Sequence, residues 1–414
     1  MNDAMKQILE AREARCELQQ SLLTEYNATL VCFTMNIPGE EKDTPLVRLA
    51  FGAGCDLLRE ALSGLLHEEI RFTADGPEGY FVTDADACAV KKATVSLEES
   101  SPIGRLYDMD VLSPEGGKLS REGERPCIVC GGGVYACIRS HAHTVAEAEE
   151  KAQEILRQFA AEHLAQTAVD CLLAEARLTP KPGLVDAENS GSHTDMDLAL
   201  FEKSAVSLLP YFRTAVLLGM EEEYCMDRLQ PAGVEAERTM MEVTGGVNTH
   251  KGAIYVFGLI LSAIGSHLAF GSEIFSTACV LAMDGQLPDD THGSVVRLKY
   301  RKCGARYEAT EGFPNAISAY NILCETGNAY RALLWLIASV PDTNLLYRGG
   351  IDGLVFAQEL AKKTQALDDE HLLDGIREMD SRFIEHRLSP GGSADLLALG
   401  MFLQRTEAIW DEEE

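Results

Sequence analysis

Residues 178–197 form a polar stretch that is crowded with side chains capable of chemistry. Pro180, Pro182, Gly183 and Gly191 interrupt it, so neither a strand nor a helix is expected to run through it. Strongly helical sequence flanks the stretch on both sides and would hold it in place. A loop of this composition most often does no more than cap a helix. Its chemically capable groups are Lys181, Asp186, Asn189, His193, Asp195 and Asp197.

Polar, glycine-rich loops of the same kind recur further along the chain. Each leads into a predicted helix N-terminus, where unpaired backbone N–H groups and the helix dipole favour anions. The recurrence predicts one shared pocket for a phosphate-rich ligand and its metal, although the 244–252 loop lacks the glycine and lysine spacing of a Walker P-loop. The loops are 178–197, 244–252, 291–293, 311–314, 342–350 and 388–395.

A second group of carboxylates lies in the first half of the chain. We predict that 104–112 is a strand that ends in a hairpin at 114–117. Residues two apart on a strand point to the same face, so Asp108 and Asp110 would lie side by side. Two adjacent carboxylates suit Mg²⁺ ions in phosphoryl or nucleotidyl transfer. An exposed strand face also produces this Asp-x-Asp pattern by chance.

Three cysteines and two histidines cluster shortly afterwards. Cys127, Cys130 and Cys137 precede His141 and His143 at a spacing that structural zinc would explain. The alternative is a glycine-rich turn with three reduced cysteines. The sequence leaves both open, with His141 or His143 as the fourth ligand.

Composition narrows the class of protein. The 414 residues suggest two domains or more, and 46% hydrophobic residues suffice for a core. A net charge of −29 argues against nucleic acid and anionic membranes as partners. The twelve cysteines lack the spacing of a disulfide framework, and the N-terminus does not resemble a signal peptide. A cytoplasmic enzyme is the expectation.

Periodicity predicts two folds in succession. Residues 1–160 mix helical and strand patterns, which predicts an α+β or α/β domain. A capping box at Thr144–Glu147 opens a helix that continues to about Ala176 and places the boundary near residue 160. Apolar residues then recur at helical spacing, so 161–414 is predicted to be all-α. The expected helices are 160–176, 196–218, 234–243, 251–268, 273–283, 315–339, 351–364 and 393–404.

These loops carry a resemblance to a known family. Thr-Pro-Lys-Pro-Gly-Leu-Val-Asp (179–186), Gly-Gly-Val-Asn-Thr-His-Lys-Gly (245–252) and Leu-Ser-Pro-Gly-Gly-Ser-Ala-Asp (388–395) resemble triphosphoribosyl-dephospho-CoA synthase. The first half, with Gly-Arg-Leu-Tyr-Asp-Met-Asp-Val (104–111) and the cysteine segment, is similar to apo-citrate lyase phosphoribosyl-dephospho-CoA transferase, with a nucleotidyltransferase-like fold. The chain resembles a fusion of the two.

The resemblance implies two reactions. The 2′-hydroxyl of 3′-dephospho-CoA would attack the anomeric carbon of ATP and expel adenine. A serine of the citrate lyase acyl-carrier subunit would then take up phosphoribosyl-dephospho-CoA and release pyrophosphate. The carrier protein of malonate decarboxylase remains an alternative acceptor.

The resemblance also suggests roles for individual residues. Carboxylates would stabilise the ribosyl cation, accept the hydroxyl proton or bind Mg²⁺, with Asp108, Asp110, Asp186 and Asp342 as metal ligands. The catalytic candidates are Asp108, Asp110, Asp186, Asp195, Asp197, Asp342 and Asp395. The substrate-binding candidates are Arg105, Lys181, Asn189, His193, Asn248, His250, Lys251, Asn344, Arg348, Gly391, Gly392 and Ser393.

Two other functions fit the second half of the chain. One is a helical, Mg²⁺-dependent glycohydrolase for ADP-ribose-like substrates, in which water replaces the acceptor hydroxyl. The other is a nucleotide-binding regulator without catalysis. Neither explains the first half.

Overall fold

A computed structural model describes residues 3–221, 226–285, 296, 299–300 and 303–410. The polar loop predicted at 291–293 lies outside these residues. The chain divides into two compact units, residues 1–160 and 161–414. Each is described by itself.

The first unit contains a four-stranded, wholly antiparallel sheet. Its strand order is β2-β3-β1-β4, with strands at Thr29–Met35 (β1), Leu65–Thr73 (β2), Gly76–Thr83 (β3) and Tyr107–Leu112 (β4). Every strand pair is antiparallel, so α+β is the correct class and the α/β alternative is wrong. The helices described here are α1 (Asp3–Tyr26), α2 (Pro45–Ala61), α3 (Ala87–Glu99), α4 (Val134–Ser140) and the start of α5 (Val145–Arg177).

The sheet forms because its central strand is apolar on both faces. Strand β1 is almost entirely buried, and Phe33 on one face stacks on Phe51 of α2 with ring centroids 4.8 Å apart. Tyr107 at the start of β4 meets Phe33 edge-on at 5.2 Å. Helix α2 begins at a local signal, with Thr44 capping the Val47 amide and Pro45 at the first position. It ends at Ala61, shortly before β2 begins at Leu65.

Strand β4 carries the Asp-x-Asp pair much as predicted. Asp108 and Asp110 lie opposite Thr34 and Cys32 of β1 and are half-exposed. Their neighbours in the strand, Tyr107, Met109 and Val111, are buried. A hairpin turn follows, closed by the Ser113 amide donating to the Gly117 carbonyl at 2.8 Å. One part of the prediction is wrong: Ile103–Leu106 form a 3₁₀ turn, so the strand begins only at Tyr107.

The second unit is all-α in the residues described, as the periodicity predicts. After α5, its helices are α6 (Leu198–Ser207), α7 (Leu209–Gly219), α8 (Met226–Val243), α9 (Lys251–Phe270), α10 (Ile274–Asp284), α11 (Gly304–Thr310), α12 (Pro314–Thr326), α13 (Ala329–Ser339), α14 (Thr343–Gln365), α15 (Asp369–Glu385), α16 (Gly391–Arg405) and α17 (Glu407–Trp410).

Helix α9 is the centre of this unit. It is long and apolar enough to span a membrane by composition, but 72% of its apolar window is buried, as expected for a core helix. It packs against α7, α8, α10 and α16. Gly219 of α7 and Gly265 of α9 allow the two backbones to approach closely, since a Cβ at Gly219 would lie 1.9 Å from the Ser262 carbonyl oxygen.

Four helix predictions in this unit need correction. The single helix expected over 196–218 is two, α6 and α7, which are separated at Leu208. The single helix expected over 315–339 is two, because Gly327 adopts a positive φ of 63° and Asn328 caps the next helix. The loop expected at 342–350 is helix α14, with a kink at Gly350 where φ is 63°. Helix α15 was not predicted, although Leu372, Ile376, Met379 and Phe383 recur at helical spacing and Asp368 caps the His371 amide.

Gly104 in the 3₁₀ turn tests the packing that positions β4. A Cβ there would lie 2.6 Å from the Leu97 carbonyl oxygen, so Gly104→Ala should destabilise the first unit by about 1–3 kcal/mol. Gly52→Ala, on an open face of α2, should instead stabilise it by roughly 0.5–1 kcal/mol. Hydrogen exchange of peptides covering β1 and β4 in the full chain measures both. Equal exchange rates in the two variants would contradict the close contact.

Candidate active site

The second unit contains a cavity of about 840 Å³. Four of the polar segments singled out in the sequence contribute to its wall: 178–197, 244–252, 342–350 and 388–395. The 311–314 loop does not line it, but the neighbouring Glu308 and Asn315 do. Several helices thus begin at one cavity, and their N-termini are suited to anions.

Asp395 lies at the centre of this wall, where α16 meets the first turn of α9. A Cβ on Gly252 would lie 1.9 Å from the Asp395 carboxylate, so this approach requires glycine. Burial raises the pKa of Asp395 well above its usual range, and the carboxylates of Glu175 and Asp342 raise it further. The backbone N–H of Ala253 lowers the pKa of Asp395, but it offsets only part of this rise. Asp395 lines the cavity and is partly exposed.

Asp342 is buried and already holds four donors. Its Oδ1 accepts the amides of Asn344 (2.8 Å) and Leu345 (3.3 Å) as the N-cap of α14. Its Oδ2 accepts the amide (2.8 Å) and hydroxyl (3.1 Å) of Ser393 in α16. Burial nevertheless raises its pKa. Asp342 therefore fastens two helix starts together, and its oxygens are not free for a metal.

Lys181 and Glu175 form a buried ion pair in the same wall. Lys181 Nζ lies 2.8 Å from Glu175 Oε1 and donates to the Glu175 carbonyl at 2.9 Å, with 2% and 6% of the two side chains exposed. A buried charge needs such a partner, since removing one leaves the other uncompensated. Lys181, predicted to bind the triphosphate, is instead engaged within the wall.

His250 is a neutral imidazole at the N-terminus of α9. Its Nδ1 lies 2.8 Å from the Ser204 hydroxyl, which lies 2.6 Å from the Thr249 hydroxyl. Burial and the positive charge of Lys181 lower its pKa to about 3. Its buried Nε2 has no hydrogen-bond partner within the described parts of the chain.

Charged and polar side chains that are more exposed lie around this buried part of the cavity wall. Arg348 donates to the Ser192 carbonyl at 3.0 Å and lies 3.1 Å from His193, whose other nitrogen is 2.9 Å from the Ser389 hydroxyl. Burial and Arg348 lower the pKa of His193 to about 4, so this ring is also neutral near pH 7. Lys251 pairs with Glu237 at 2.7 Å. Asp195 is exposed and faces Arg348.

The remaining neutral candidates lie along the same wall. Asn248 lines the cavity, and its side chain accepts the Lys251 amide at 3.2 Å. Asn344, Gly391 and Gly392 also line it. Ser393 is buried behind them on Asp342.

Three predicted residues hold the 178–197 loop instead of lining the cavity. Buried Asp186 accepts the backbone amides of Lys181 (2.7 Å), Glu188 (2.7 Å) and Asn189 (3.0 Å). The Asn189 side chain donates to Asp380 at 2.9 Å. Asp197 is exposed and caps α6 through the Leu200 amide. These contacts correct the expectation that Asp186 is a metal ligand and that all the loop aspartates face the substrate.

Sequence reasoning missed three carboxylates. Glu175 lies within a predicted helix, and its signal is a charge between buried residues of α5. Glu308 is buried and accepts the Asn315 amide at 2.7 Å, which fixes the start of α12. Asp380 accepts the Gly183 amide at 2.8 Å and belongs to the helix that was not predicted. No motif marks these positions, because each acts through tertiary contacts.

The first unit has its own pocket, of about 370 Å³, lined by arginines. Arg105, Arg121 and Arg125 contribute to it, together with Glu98. Glu98 pairs with Arg125 and Arg121 and also accepts the Met109 amide of β4 at 2.8 Å. Burial and Arg125 lower the pKa of Arg105, and its buried Nη1 has no hydrogen-bond partner in the part of the chain described. Three arginines therefore meet at this pocket beside the buried carboxylate of Glu98.

Asp108 and Asp110 are next to this pocket and are paired with cations. Asp108 lies 3.2 Å from Arg125, and Asp110 lies 2.5 Å from Lys118. Both carboxylates remain partly exposed, with 44% and 31% of their side chains accessible. The Lys118 side chain is exposed, and surface ion pairs of this kind are weak.

The cysteine segment brings four possible metal ligands together. The ligand atoms of Cys127, Cys130, Cys137 and His143 all lie within 4.8 Å of one another. The fourth group is His143 and not His141, which ends α4 in a left-handed conformation.

Comparison with known proteins finds a matching protein family for each of the two units. A family model described as apo-citrate lyase phosphoribosyl-dephospho-CoA transferase matches residues 3–159, and one described as ATP:dephospho-CoA triphosphoribosyl transferase matches 161–414. Protein CitXG of Haemophilus influenzae is 38% identical over 96% of this chain and 95% of its own length. Protein CitXG of Leuconostoc mesenteroides is 30% identical over 97% of each chain.

A shorter relative matches part of the chain. The 2-(5''-triphosphoribosyl)-3'-dephosphocoenzyme-A synthase of Klebsiella pneumoniae is 37% identical over 60% of this chain and 92% of its own. The chain therefore belongs to the family of fused citrate lyase prosthetic-group transferases, in which an apo-citrate lyase phosphoribosyl-dephospho-CoA transferase domain precedes an ATP:dephospho-CoA triphosphoribosyl transferase domain.

Proposed function

We propose that the cavity of the second unit joins ATP to 3′-dephospho-CoA, and that the arginine pocket of the first unit transfers the product to a carrier protein. In the first reaction the acceptor 2′-oxygen bonds to the anomeric carbon of ATP while the bond to adenine breaks. In the second, a carrier serine takes up phosphoribosyl-dephospho-CoA and pyrophosphate leaves. The observation that carries the proposal is Asp395, held with a raised pKa between two carboxylates.

The acids of the cavity suit the departure of adenine. Loss of the base builds positive charge on the ribose, which the carboxylates around Asp395 stabilise. The proton on Asp395 is delivered to the leaving adenine. The carboxylate then accepts the proton of the 2′-hydroxyl as the new bond forms, so one residue closes the proton balance. Glu175 and Asp342 act through Asp395, because their own oxygens are engaged with the protein.

The triphosphate is assigned to the rim of the cavity. Arg348 and Lys251 supply positive charge there, and the N-termini of α9 and α16 supply backbone N–H groups. Asp186 and Asp342 do not fit a metal, since the protein already occupies their oxygens. Exposed Asp195 beside Arg348 does fit, and Mg²⁺ there would neutralise phosphate charge.

The first unit provides the complementary site for pyrophosphate. Arg105, Arg121 and Arg125 match the charge of a diphosphate leaving group, and Arg105 has a donor without a partner among the described residues. Asp108 and Asp110 lie side by side at its edge and would hold Mg²⁺, which would supply charge neutralisation for a nucleotidyltransferase-like transfer. In this structure Arg125 pairs with Asp108 and Lys118 pairs with Asp110. A cytoplasmic location accords with these substrates.

Substrate dependence tests the first reaction. The protein is incubated with ATP and Mg²⁺, with and without 3′-dephospho-CoA, and free adenine is measured. Adenine is expected only with the acceptor. Ribosyl hydrolysis without acceptor would instead indicate the glycohydrolase, and neither product would indicate a regulator.

Mass spectrometry of the carrier tests the second reaction. The acyl-carrier subunit of citrate lyase should gain the mass of phosphoribosyl-dephospho-CoA when mixed with protein, ATP and 3′-dephospho-CoA. The carrier of malonate decarboxylase serves as the comparison. Faster modification of the latter would reassign the acceptor.

Asp395→Asn should reduce adenine release by at least about 100-fold, the usual size of a lost proton-transfer group. Asp197→Asn is the matched control, since it changes an exposed cap outside the cavity wall and should keep near-normal activity. Adenine release and thermal unfolding are measured on both. Normal activity of Asp395→Asn would remove this residue from the mechanism.

Asp395→Asn should also stabilise the folded protein, and by more at high pH than at low pH. Asp395 has a raised pKa in the folded protein, so the folded state binds more protons than the unfolded state above about pH 4. Stability is therefore lost as pH rises from there through the folded pKa. Asp395→Asn removes this loss, and its gain in melting temperature should be larger at pH 8 than at pH 5. A gain that shrinks with pH would contradict the raised pKa.

The two reactions should be separable. Asp108→Asn combined with Asp110→Asn should leave adenine release unchanged but abolish carrier modification, so that the triphosphoribosyl intermediate accumulates. Purified intermediate should rescue Asp395→Asn and not the double variant. Normal carrier modification by the double variant would make these aspartates a solvated strand face, and loss of adenine release would contradict separate sites.

A further inference from the structure

The four ligand atoms near the end of the first unit are spaced as a bound metal would require. Those of Cys127, Cys130, Cys137 and His143 lie within 4.8 Å of one another, and the Cys130 and Cys137 sulfurs are 3.5 Å apart. Zinc–sulfur bonds of about 2.3 Å place two thiolates of a tetrahedral site about 3.8 Å apart. A disulfide needs about 2.05 Å, and all three thiols are free.

The backbone around Cys127 is folded as a tight knuckle. The Cys127 amide donates to the Gly132 carbonyl at 2.6 Å, and the Cys127 carbonyl accepts from Gly131 at 2.9 Å. Gly131 has a φ of 73°, which favours glycine at this turn.

His143 supplies an independent observation. Its Nε2 is buried and has no hydrogen-bond partner in the described chain. An unpartnered buried nitrogen is costly unless something binds it. Thr144 and Glu147 cap the start of α5 immediately afterwards, with the Thr144 amide donating to Glu147 at 2.7 Å, so His143 is held beside the thiols.

We propose that Cys127, Cys130, Cys137 and His143 bind one Zn²⁺ as a structural site. Four protein ligands close the coordination shell, which leaves no position for substrate or water. The zinc fixes the hairpin of residues 126–133, where Pro126 bridges Gly133. Arg105 Nε donates to the Pro126 carbonyl and Arg125 precedes this residue, so the metal also sets the position of the arginine pocket.

Metal analysis of the full chain, purified without chelator, tests the site directly. One zinc per chain is expected, and a zinc content near zero would overturn the proposal. A loss of two hydrogens in the mass of the untreated protein, located to Cys130 and Cys137, would show a disulfide and also overturn it. Neither measurement depends on the enzymatic reactions.

Two histidine variants form a matched pair. His143→Ala should lose most of the zinc, whereas His141→Ala, two residues away, should retain it. His143→Cys should restore zinc binding, because a fourth thiolate suits zinc and replaces the imidazole. This rescue also separates a ligand role from a folding defect. Full zinc content in His143→Ala, or no restoration by His143→Cys in a folded protein, would contradict the assignment of His143.

Cobalt provides a spectroscopic check on the ligand set. The zinc-depleted full chain titrated with Co²⁺ should show the intense visible and thiolate charge-transfer bands of a tetrahedral sulfur-rich site. Cys130→Ser should weaken the thiolate bands, and Cys88→Ser, at an exposed cysteine of α3, should leave them unchanged. A weak, octahedral-type spectrum in the unmodified chain would exclude the proposed site.

Discussion

The second unit depends on placing Asp395 against the first turn of α9. The carboxylate lies where a Gly252 side chain would be, and Glu175 and Asp342 lie close enough to oppose its ionisation. Three acids around one cavity are tolerated because Lys181 neutralises one and the donors of α14 and α16 hold another. The cavity therefore combines helix N-termini, which attract anions, with a carboxyl group whose pKa is raised.

The polar loop 178–197 can form one wall of the cavity because its own backbone is satisfied. Asp186 accepts three amides of the loop, and Asp380 binds both the Gly183 amide and the Asn189 side chain. A buried loop without such partners would leave costly unpaired amides. Part of the acidic sequence is therefore structural, and it holds Lys181 and His193 where the cavity needs them.

The carboxylates of the two units differ in their exposure and in their partners. Asp108 and Asp110 are accessible and paired with the cations Arg125 and Lys118. Asp395 is largely surrounded by protein, and its pKa is raised. Transfer with release of pyrophosphate needs charge neutralisation. Departure of adenine needs a proton and a stabilised cation.

The sequence by itself determined what depends on local patterns. Helical periodicity, the caps at Thr44 and Thr144, the strand alternation around Asp108 and the clustering of cysteines follow from neighbours along the chain. The family blocks identified the reactions for the same reason, since they are short and contiguous. Tertiary structure alone decided which acids line the cavity. Glu175 lines it, whereas Asp186 and Asp380 accept hydrogen bonds from the 178–197 loop. His143 rather than His141 joins the cysteines, because burial and ligand geometry arise from residues that are far apart in sequence.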